Sequence, residues 1–549
     1  MLGPVERAVE RRGLVVALSL LSLMAAPASA WAGERVWVHF VDKGPTARGD
    51  ALVVALAERQ AELPPRTLAR RQRTRGAAAV DARDLPLSRE HVAAVMATGA
   101  RVRVQSRWLN AVSVEATPAQ LALIDELPGV SHVTPVARGR REPEPGFGTS
   151  PLPGEPGVGQ FGLATAQLEL LGATTLQQEC GLSGAGVVVG VQDTGFDLQH
   201  QALAGVTVLA AHDFIDDDDD VSTEPGDPDQ QASHGTRVLA MLAGSDPGTF
   251  MGVAPGVSVI LSKTEDVASE TPVEEDDYVA GLEWIELQGA DVFTASLGYL
   301  DWYTYADFDG QTTVTAIAVN AAFDNGLVVI ASLGNAGPGP MSLATPSDAL
   351  GALGIGAVDL AGVVAGFSSR GPAADGRIKP DVMAPGAGTI SIAFGTTDQY
   401  AAVDGTSIAA PMAAGLVALL LEARPTLSAQ ETMDLVRSTS HQAAAPDNDY
   451  GYGLLDGRLA SGDACGCNDS DADGHVGVLC GGDDCEDGVG AAHPGGTEIC
   501  DGYDDDCDGT LPPDEVDGDG GTDSIDCGAG DGDICADPAD CGSATACEL

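Results

Sequence analysis

Val187-Val188-Val189-Gly190-Val191-Gln192-Asp193-Thr194-Gly195 is the stretch that decides how this chain folds. The run Val187–Val191 has no polar break, as in a strand buried on both faces of a parallel sheet. In such sheets the active side chains collect at the carboxyl ends of the strands, and Asp193 stands at that end. Similar runs recur at Val257–Leu261, Val292–Ala295, Leu327–Ala331 and Leu353–Val358, with helical periodicity between them at Tyr278–Leu287 and Val314–Phe323. Ser428-Ala429-Gln430-Glu431 is a capping box that opens another helix. From about Gln160 to Ala460 the pattern therefore predicts an α/β unit of three layers, a parallel sheet between helices.

A second stretch, Gly405-Thr406-Ser407-Ile408-Ala409-Ala410-Pro411, sets a hydroxyl at the start of a helix. A serine becomes a useful nucleophile only when a base takes its proton. His234, in Ser233-His234-Gly235-Thr236, opens a helix whose Val238, Leu239, Met241 and Leu242 can pack on the sheet. Asp193 can accept a hydrogen bond from one imidazole nitrogen and stabilise the imidazolium. Each residue alone has a plainer reading, as a turn Asp, a helix-start His and a capping Ser. The order Asp193, His234, Ser407 assembles an orienting acid, a base and a nucleophile. The Ser407 N–H belongs to the donors left over at a helix N-terminus, and Pro411 cannot donate to the Ser407 carbonyl. Asn335, after the Leu327–Ala331 run, offers a side-chain donor to a developing oxyanion.

With these motifs the chain resembles the subtilisin-like (S8 family) serine peptidases. Phe367-Ser368-Ser369-Arg370-Gly371-Pro372 and Lys379-Pro380-Asp381-Val382-Met383-Ala384-Pro385-Gly386 are similar to the family's segments before its Ser. Gly252-Val253-Ala254-Pro255-Gly256 and Ala295-Ser296-Leu297-Gly298 match other framework motifs, so the resemblance spans about Phe161 to Arg458. It implies an endopeptidase acting through an acyl-enzyme on protein or peptide substrates, with no cofactor for catalysis. It also implies that extended peptide adds as a strand along Ser296, Leu297 and Gly298 on one side and Ser332, Leu333 and Gly334 on the other. Asn335–Thr345, expected to shape the main specificity pocket, carries no charge. His200-Gln201-Ala202-Leu203 stands where many members have His-Pro-Asp-Leu, which puts their calcium site there in doubt. Two other readings stay open: an inactive protease-like protein that binds through its tail, and a peptide ligase or transferase using the same acyl-enzyme.

Around this unit the 549 residues divide further. Arg11, Arg12 and the apolar run Gly13–Ala26, followed by Ala28-Ser29-Ala30, read as a signal peptide over 1–32, with a secreted or cell-surface product. No second long apolar segment is expected, hence no membrane span once the signal is removed. Residues 33–141 carry a strand–helix–strand–strand–helix–strand pattern (Val36–Phe40, Glu90–Ala97, Ala100–Ser106, Ala111–Glu115, Pro118–Leu127, Val130–Val136) that suits a small ferredoxin-like α+β domain. Its position, and Ser106-Arg107-Trp108-Leu109-Asn110-Ala111-Val112-Ser113, resemble the inhibitory propeptide of the same family, a partner in cis. Residues 142–159 read as a linker, 160–462 as the peptidase unit and 463–549 as a separate tail.

The formal charge of −53 argues against nucleic acid, whose phosphates would repel the chain. The tail holds 25 of the 81 acidic residues and ten of the eleven cysteines, and no Lys or Arg follows Arg458. Cysteines crowded in an exported tail indicate disulfides. Eleven is odd, so one thiol at least lacks an intrachain partner, and Cys180, alone upstream, reads as a small buried residue. Asp469, Asp471 and Asp473 follow the alternate spacing of a calcium loop without its closing Glu, Cys480 taking that place. Asp504, Asp506 and Asp508 lie in a segment that resembles MopE-type metal-binding repeats; calcium held structurally by the tail is the expectation. No Cys-x-x-Cys occurs, which argues against a structural zinc site. Asp216–Asp220 reads as a solvated loop, with cation binding as the sharper alternative.

Overall fold

The computed structural model describes residues 33–136, 138–139, 159–267, 273–300 and 303–462, with His493, Pro494, Gly496 and Cys507. Residues 1–32 expected as leader, most of the expected linker and the six tail carboxylates Asp469, Asp471, Asp473, Asp504, Asp506 and Asp508 lie outside the described residues. The amino-terminal unit runs β1 (Glu34–Phe40), α1 (Gly49–Glu62), α2 (Pro65–Arg75), α3 (Arg89–Ala97), β2 (Arg101–Ser106), β3 (Ala111–Ala116), α4 (Pro118–Asp125) and β4 (Val130–Pro135). Its sheet is ordered β2-β3-β1-β4, every pair antiparallel. Alternation on β1 sorts the faces: Val36, Val38 and Phe40 join the unit's own core, while Trp37 turns to the larger unit. Helices α1 and α2 went unread in the sequence. No residue of α1 is buried, so it has no apolar stripe to announce it.

The larger unit begins with β5 (Arg138–Gly139), α5 (Thr165–Glu169) and α6 (Ala173–Gln178). It continues through β6 (Val188–Asp193), β7 (Thr207–Asp213), α7 (Ser233–Ala243), the short hairpin β8 (Ser245–Asp246) and β9 (Phe250–Met251), and β10 (Ser258–Lys263). Next come β11 (Val273–Glu274), α8 (Glu275–Gln288), β12 (Val292–Ala295), α9 (Val314–Asp324), β13 (Val328–Ser332) and β14 (Ala352–Val358). The unit closes with β15 (Val382–Pro385), the hairpin β16 (Thr389–Ile392) and β17 (Tyr400–Val403), α10 (Thr406–Ala423), α11 (Ala429–Ser438) and α12 (Gly457–Ser461). Seven strands form one parallel sheet, β15-β14-β13-β12-β6-β10-β7. One face packs on α7 and α10, the other on α8 and α9. This is the doubly covered parallel sheet that the apolar runs demand.

One expectation needs correction. A second long apolar segment does occur, α10, long and apolar enough to cross a membrane, but 89% of it is buried as the central helix of the core.

Candidate active site

Asp193 ends β6 and is fully buried. His234, second residue of α7, places Nδ1 2.6 Å from Asp193 Oδ1, and the Thr194 N–H donates to the same oxygen at 2.7 Å. Gly235 permits this approach: a Cβ there would stand 2.9 Å from Asp193 Cβ and run into the Gly195 carbonyl. Ser407 is the second residue of α10. Gly405 precedes it at φ +151°, and a Cβ at that position would crowd Ser407 Oγ at 2.7 Å. The Ser407 hydroxyl is buried, and among the described residues it has no hydrogen-bond partner, His234 included.

The helix opening expected from Pro411 has a specific solution. The Ser407 carbonyl accepts a hydrogen bond from Ser296 Oγ at 2.7 Å, so a side chain replaces the missing backbone donor. Asn335 is tied to the residue before Ser407: its Oδ1 accepts from both the N–H and the hydroxyl of Thr406, each at 3.0 Å. Thr406 Oγ1 in turn accepts from the Gly334 N–H at 3.2 Å. Sequence reasoning missed both hydroxyl roles. The only signal was position, with Thr406 inside the Ser407 motif and Ser296 just past β12.

The two backbone segments expected to bind peptide differ in their hydrogen bonding. The Leu333 N–H donates to Ile355 and its carbonyl accepts from Ala344, both at 3.0 Å, while the Gly334 carbonyl accepts from Ser369 at 2.9 Å. These backbone groups of Leu333 and Gly334 are thus hydrogen-bonded within the fold. Among the described residues, the backbones of Leu297 and Gly298 make no hydrogen bond to another backbone group.

The Asp-rich loop carries a charge balance of its own. Carboxylate oxygens of Asp213, Asp218 and Glu224 lie within 4.8 Å of one another. Lys263 Nζ enters this group, 2.8 Å from Asp213 Oδ2, 3.0 Å from Asp227 Oδ2 and 3.6 Å from Glu224 Oε2. Burial works against the ammonium, but the hydrogen bonds of Asp213 and Asp227 raise its pKa well above the ordinary lysine range. Asp217 and Asp219 point to water, their side chains 97% and 89% exposed, as the solvated reading expects. His200 is taken up structurally, with Nε2 3.0 Å from the Gln399 carbonyl and its ring edge-on to Tyr400.

The amino-terminal unit sits on α8. Trp37, Val104 and Trp108 pack into one cluster with Tyr278, Val279, Leu282 and Ile285. Arg103 reaches Asp276 at 3.2 Å and Asp277 at 3.0 Å, and Ser113 Oγ donates to Asp276 at 2.6 Å. Ser106 Oγ and the Trp108 N–H converge on Glu283. Burial lifts the Glu283 pKa above the ordinary carboxylate range. Burial, with the Asp276 carboxylate beside it, pushes Asp277 up to about 8 against the pull of Arg103. At the far end of α8, α2 inserts two fully buried arginines. Arg71 grips Glu286 through two bonds of 2.9 and 2.7 Å and reaches Asp84 at 2.7 Å, while Arg70 bonds Glu286 and the Ala290 carbonyl. Burial alone would raise Glu286, but Arg70 and Arg71 hold it below its usual pKa.

Residues 184–453 match the model of the Subtilase family, and residues 35–145 match a Peptidase S8 propeptide domain, Bacteroidota. Subtilisin DY of Bacillus licheniformis is 32% identical over 299 residues, 54% of this chain and 97% of that protein. The chain belongs to the subtilase family. It is a subtilisin-family serine protease carrying an S8 propeptide domain. Serine protease AprX of Bacillus subtilis (strain 168) is 30% identical over 301 residues, 50% of this chain and 66% of AprX. Fervidolysin from Fervidobacterium pennivorans, described as a keratinolytic enzyme related to subtilisin, shares the fold. Its TM-score is 0.52 at 22% identity, covering 80% of this chain and 62% of the fervidolysin chain. Residues 484–511 match the MopE model described as a "Putative metal-binding motif". This segment includes Asp504, Asp506 and Asp508.

Proposed function

We propose that this subtilase is an exported endopeptidase, made with a signal peptide over 1–32 and held latent by residues 33–141. The observation that carries the catalytic part is the buried 2.6 Å contact between His234 Nδ1 and Asp193 Oδ1 at the strand ends. With Nδ1 bound to the acid, Nε2 is the nitrogen that takes the Ser407 proton as Oγ attacks the scissile carbonyl carbon. Asp193 stabilises the imidazolium that forms. With Asn335 Oδ1 committed to Thr406, it is the Nδ2 end that donates to the oxyanion, alongside the Ser407 N–H. Collapse of the tetrahedral intermediate breaks the C–N bond, and His234 returns the proton to the leaving amine. Water then attacks the ester by the same route, and Ser407 is restored. No cofactor enters these steps.

Substrate peptide adds as a strand to the Ser296–Gly298 edge, while Ser332–Gly334 and the uncharged Asn335–Thr345 stretch wall the side-chain pocket. Residues 142–159 are the linker cut on maturation, and 160–462 the peptidase unit. The acidic tail, 463–549, holds calcium with Asp469, Asp471, Asp473, Asp504, Asp506 and Asp508. An active-site serine reagent tests the central assignment. The label should map to the peptide containing Ser407 and vanish in Ser407→Ala, which should also be exported with residues 33–141 still attached. A label on another residue, or full peptidase activity in folded Ser407→Ala, overturns it.

A further inference from the structure

β11 already carries a peptide. Val273 and Glu274 pair antiparallel with Gly139 and Arg138, just beyond the propeptide sheet, and β5 is the only sheet partner of β11 among the described residues. β11 leads straight into α8, whose first residue, Glu275, is fully buried. An extended backbone thus lies where β11 meets α8, and it opens the sequence Arg138-Gly139-Arg140-Arg141, three arginines in four residues.

Acidic side chains gather at the same place. Glu275 Oε2 accepts from the Tyr303 hydroxyl at 2.8 Å. Glu265, also buried, stands just past β10, where the neighbouring Thr264 N–H donates to the Asp193 carbonyl at 3.1 Å. Tyr299 directly follows the Ser296–Gly298 edge and ties the two acids together. Burial raises its pKa well above the ordinary tyrosine range, and Glu265, Tyr278 and Glu275 raise it further. The Tyr278 ring stands edge-on to Tyr299 at 5.9 Å, and its fully buried hydroxyl has no hydrogen-bond partner among the described residues. Ionised carboxylates offer only acceptors. A guanidinium answers them with a fork of charged donors, and the Tyr278 oxygen can accept one more.

We propose that Glu265 and Glu275 form a specificity pocket for an arginine of the substrate upstream of the scissile bond, and that the basic segment beginning at Arg138 holds this edge until maturation. The side is upstream because residues 138–139 precede the linker that is cut. The residue next to the bond meets the uncharged Asn335–Thr345 wall, so the preference belongs to a position further from it. The inference rests on the endopeptidase reading above.

The mature enzyme tests it with peptides in which one arginine is moved through the positions before the scissile bond, each paired with its neutral isostere citrulline. At one position, not the one next to the bond, arginine should raise kcat/KM about 10- to 100-fold over citrulline. Glu265→Gln and Glu275→Gln should each pull that ratio toward one, whereas a merely structural role would lower both rates alike. Equal rates at every position, or a preference confined to the residue next to the bond, overturn the pocket and leave the endopeptidase standing. Should no peptide be cleaved, the endopeptidase reading fails. The same pairs are then titrated by fluorescence anisotropy onto Ser407→Ala protein freed of residues 33–141. Tighter binding of one arginine peptide supports the pocket, and equal binding throughout overturns it.

Discussion

The catalytic edge and the face of α8 under the propeptide domain are both buried, and they are held in opposite ways. At the edge, Asn335, Thr406, Ser296 and Gly334 hold one another through backbone amides and hydroxyls, and the charge-bearing groups are Asp193 and His234. Under the propeptide domain, Arg70, Arg71 and Arg103 meet Asp276 and Glu286. Neutral hydrogen bonds within one unit fix a geometry that must persist through turnover. Buried ion pairs between two units gain little over their hydration once the units part, because water takes back each charge. On the proposed maturation, the first arrangement stays and the second comes apart.

That contrast can be broken at either region. The largest effect is expected from Ser407→Ala: turnover should fall by about 10⁶-fold, the scale known for loss of the nucleophile in subtilisin itself, with an unchanged melting temperature. Next, Glu286→Ala strands Arg70 and Arg71 in the interface. Loss of one partner of a buried pair costs about 3–5 kcal/mol. Full-length Ser407→Ala chains cut in the linker by an added protease should then shed the propeptide domain on the order of 10²–10³ times more readily, as followed by gel filtration. Equal retention would mean that the apolar packing around Trp37 and Trp108 dominates.

Asn335→Leu should lower kcat by roughly 10²–10³ with little change in KM, the range seen for the oxyanion amide of subtilisin. A normal kcat would remove Asn335 from the reaction. The smallest effect is one of pH. Docked Asp277 keeps its proton up to about 8, whereas once released and solvated it loses it near an ordinary carboxylate value of ~4. Its pKa is raised by docking, so its contribution is fully present below the released value and is lost as pH rises toward 8. Propeptide retention in cut Ser407→Ala should weaken across that window, and Asp277→Asn should flatten the slope.

Much of the site was legible because its parts are local. Asp193, His234, Ser407 and Asn335 each sit in a short motif at a strand end or helix start, where strand burial and helix-end donors fix their surroundings. The strands were legible for the same reason, since a run such as Val187–Val191 has nowhere to go but the interior. The ferredoxin-like order survived the two unread helices because its alternating strands pair with each other whatever is inserted between them.

What escaped the sequence is what partners decide. Arg70 and Arg71 look like solvated members of a basic helix, yet both are buried against Glu286, more than 200 positions away. Lys263 ends an apolar strand, and only the fold brings it into the Asp213 cluster. Only the fold pairs the Leu333 N–H with Ile355 and the Gly334 carbonyl with Ser369. The sequence by itself determined the parallel sheet and the family, because burial period and short motifs are local properties of the chain. Only the tertiary structure decided which charges are paired and which backbone edge stays open, because those depend on segments that meet only after folding.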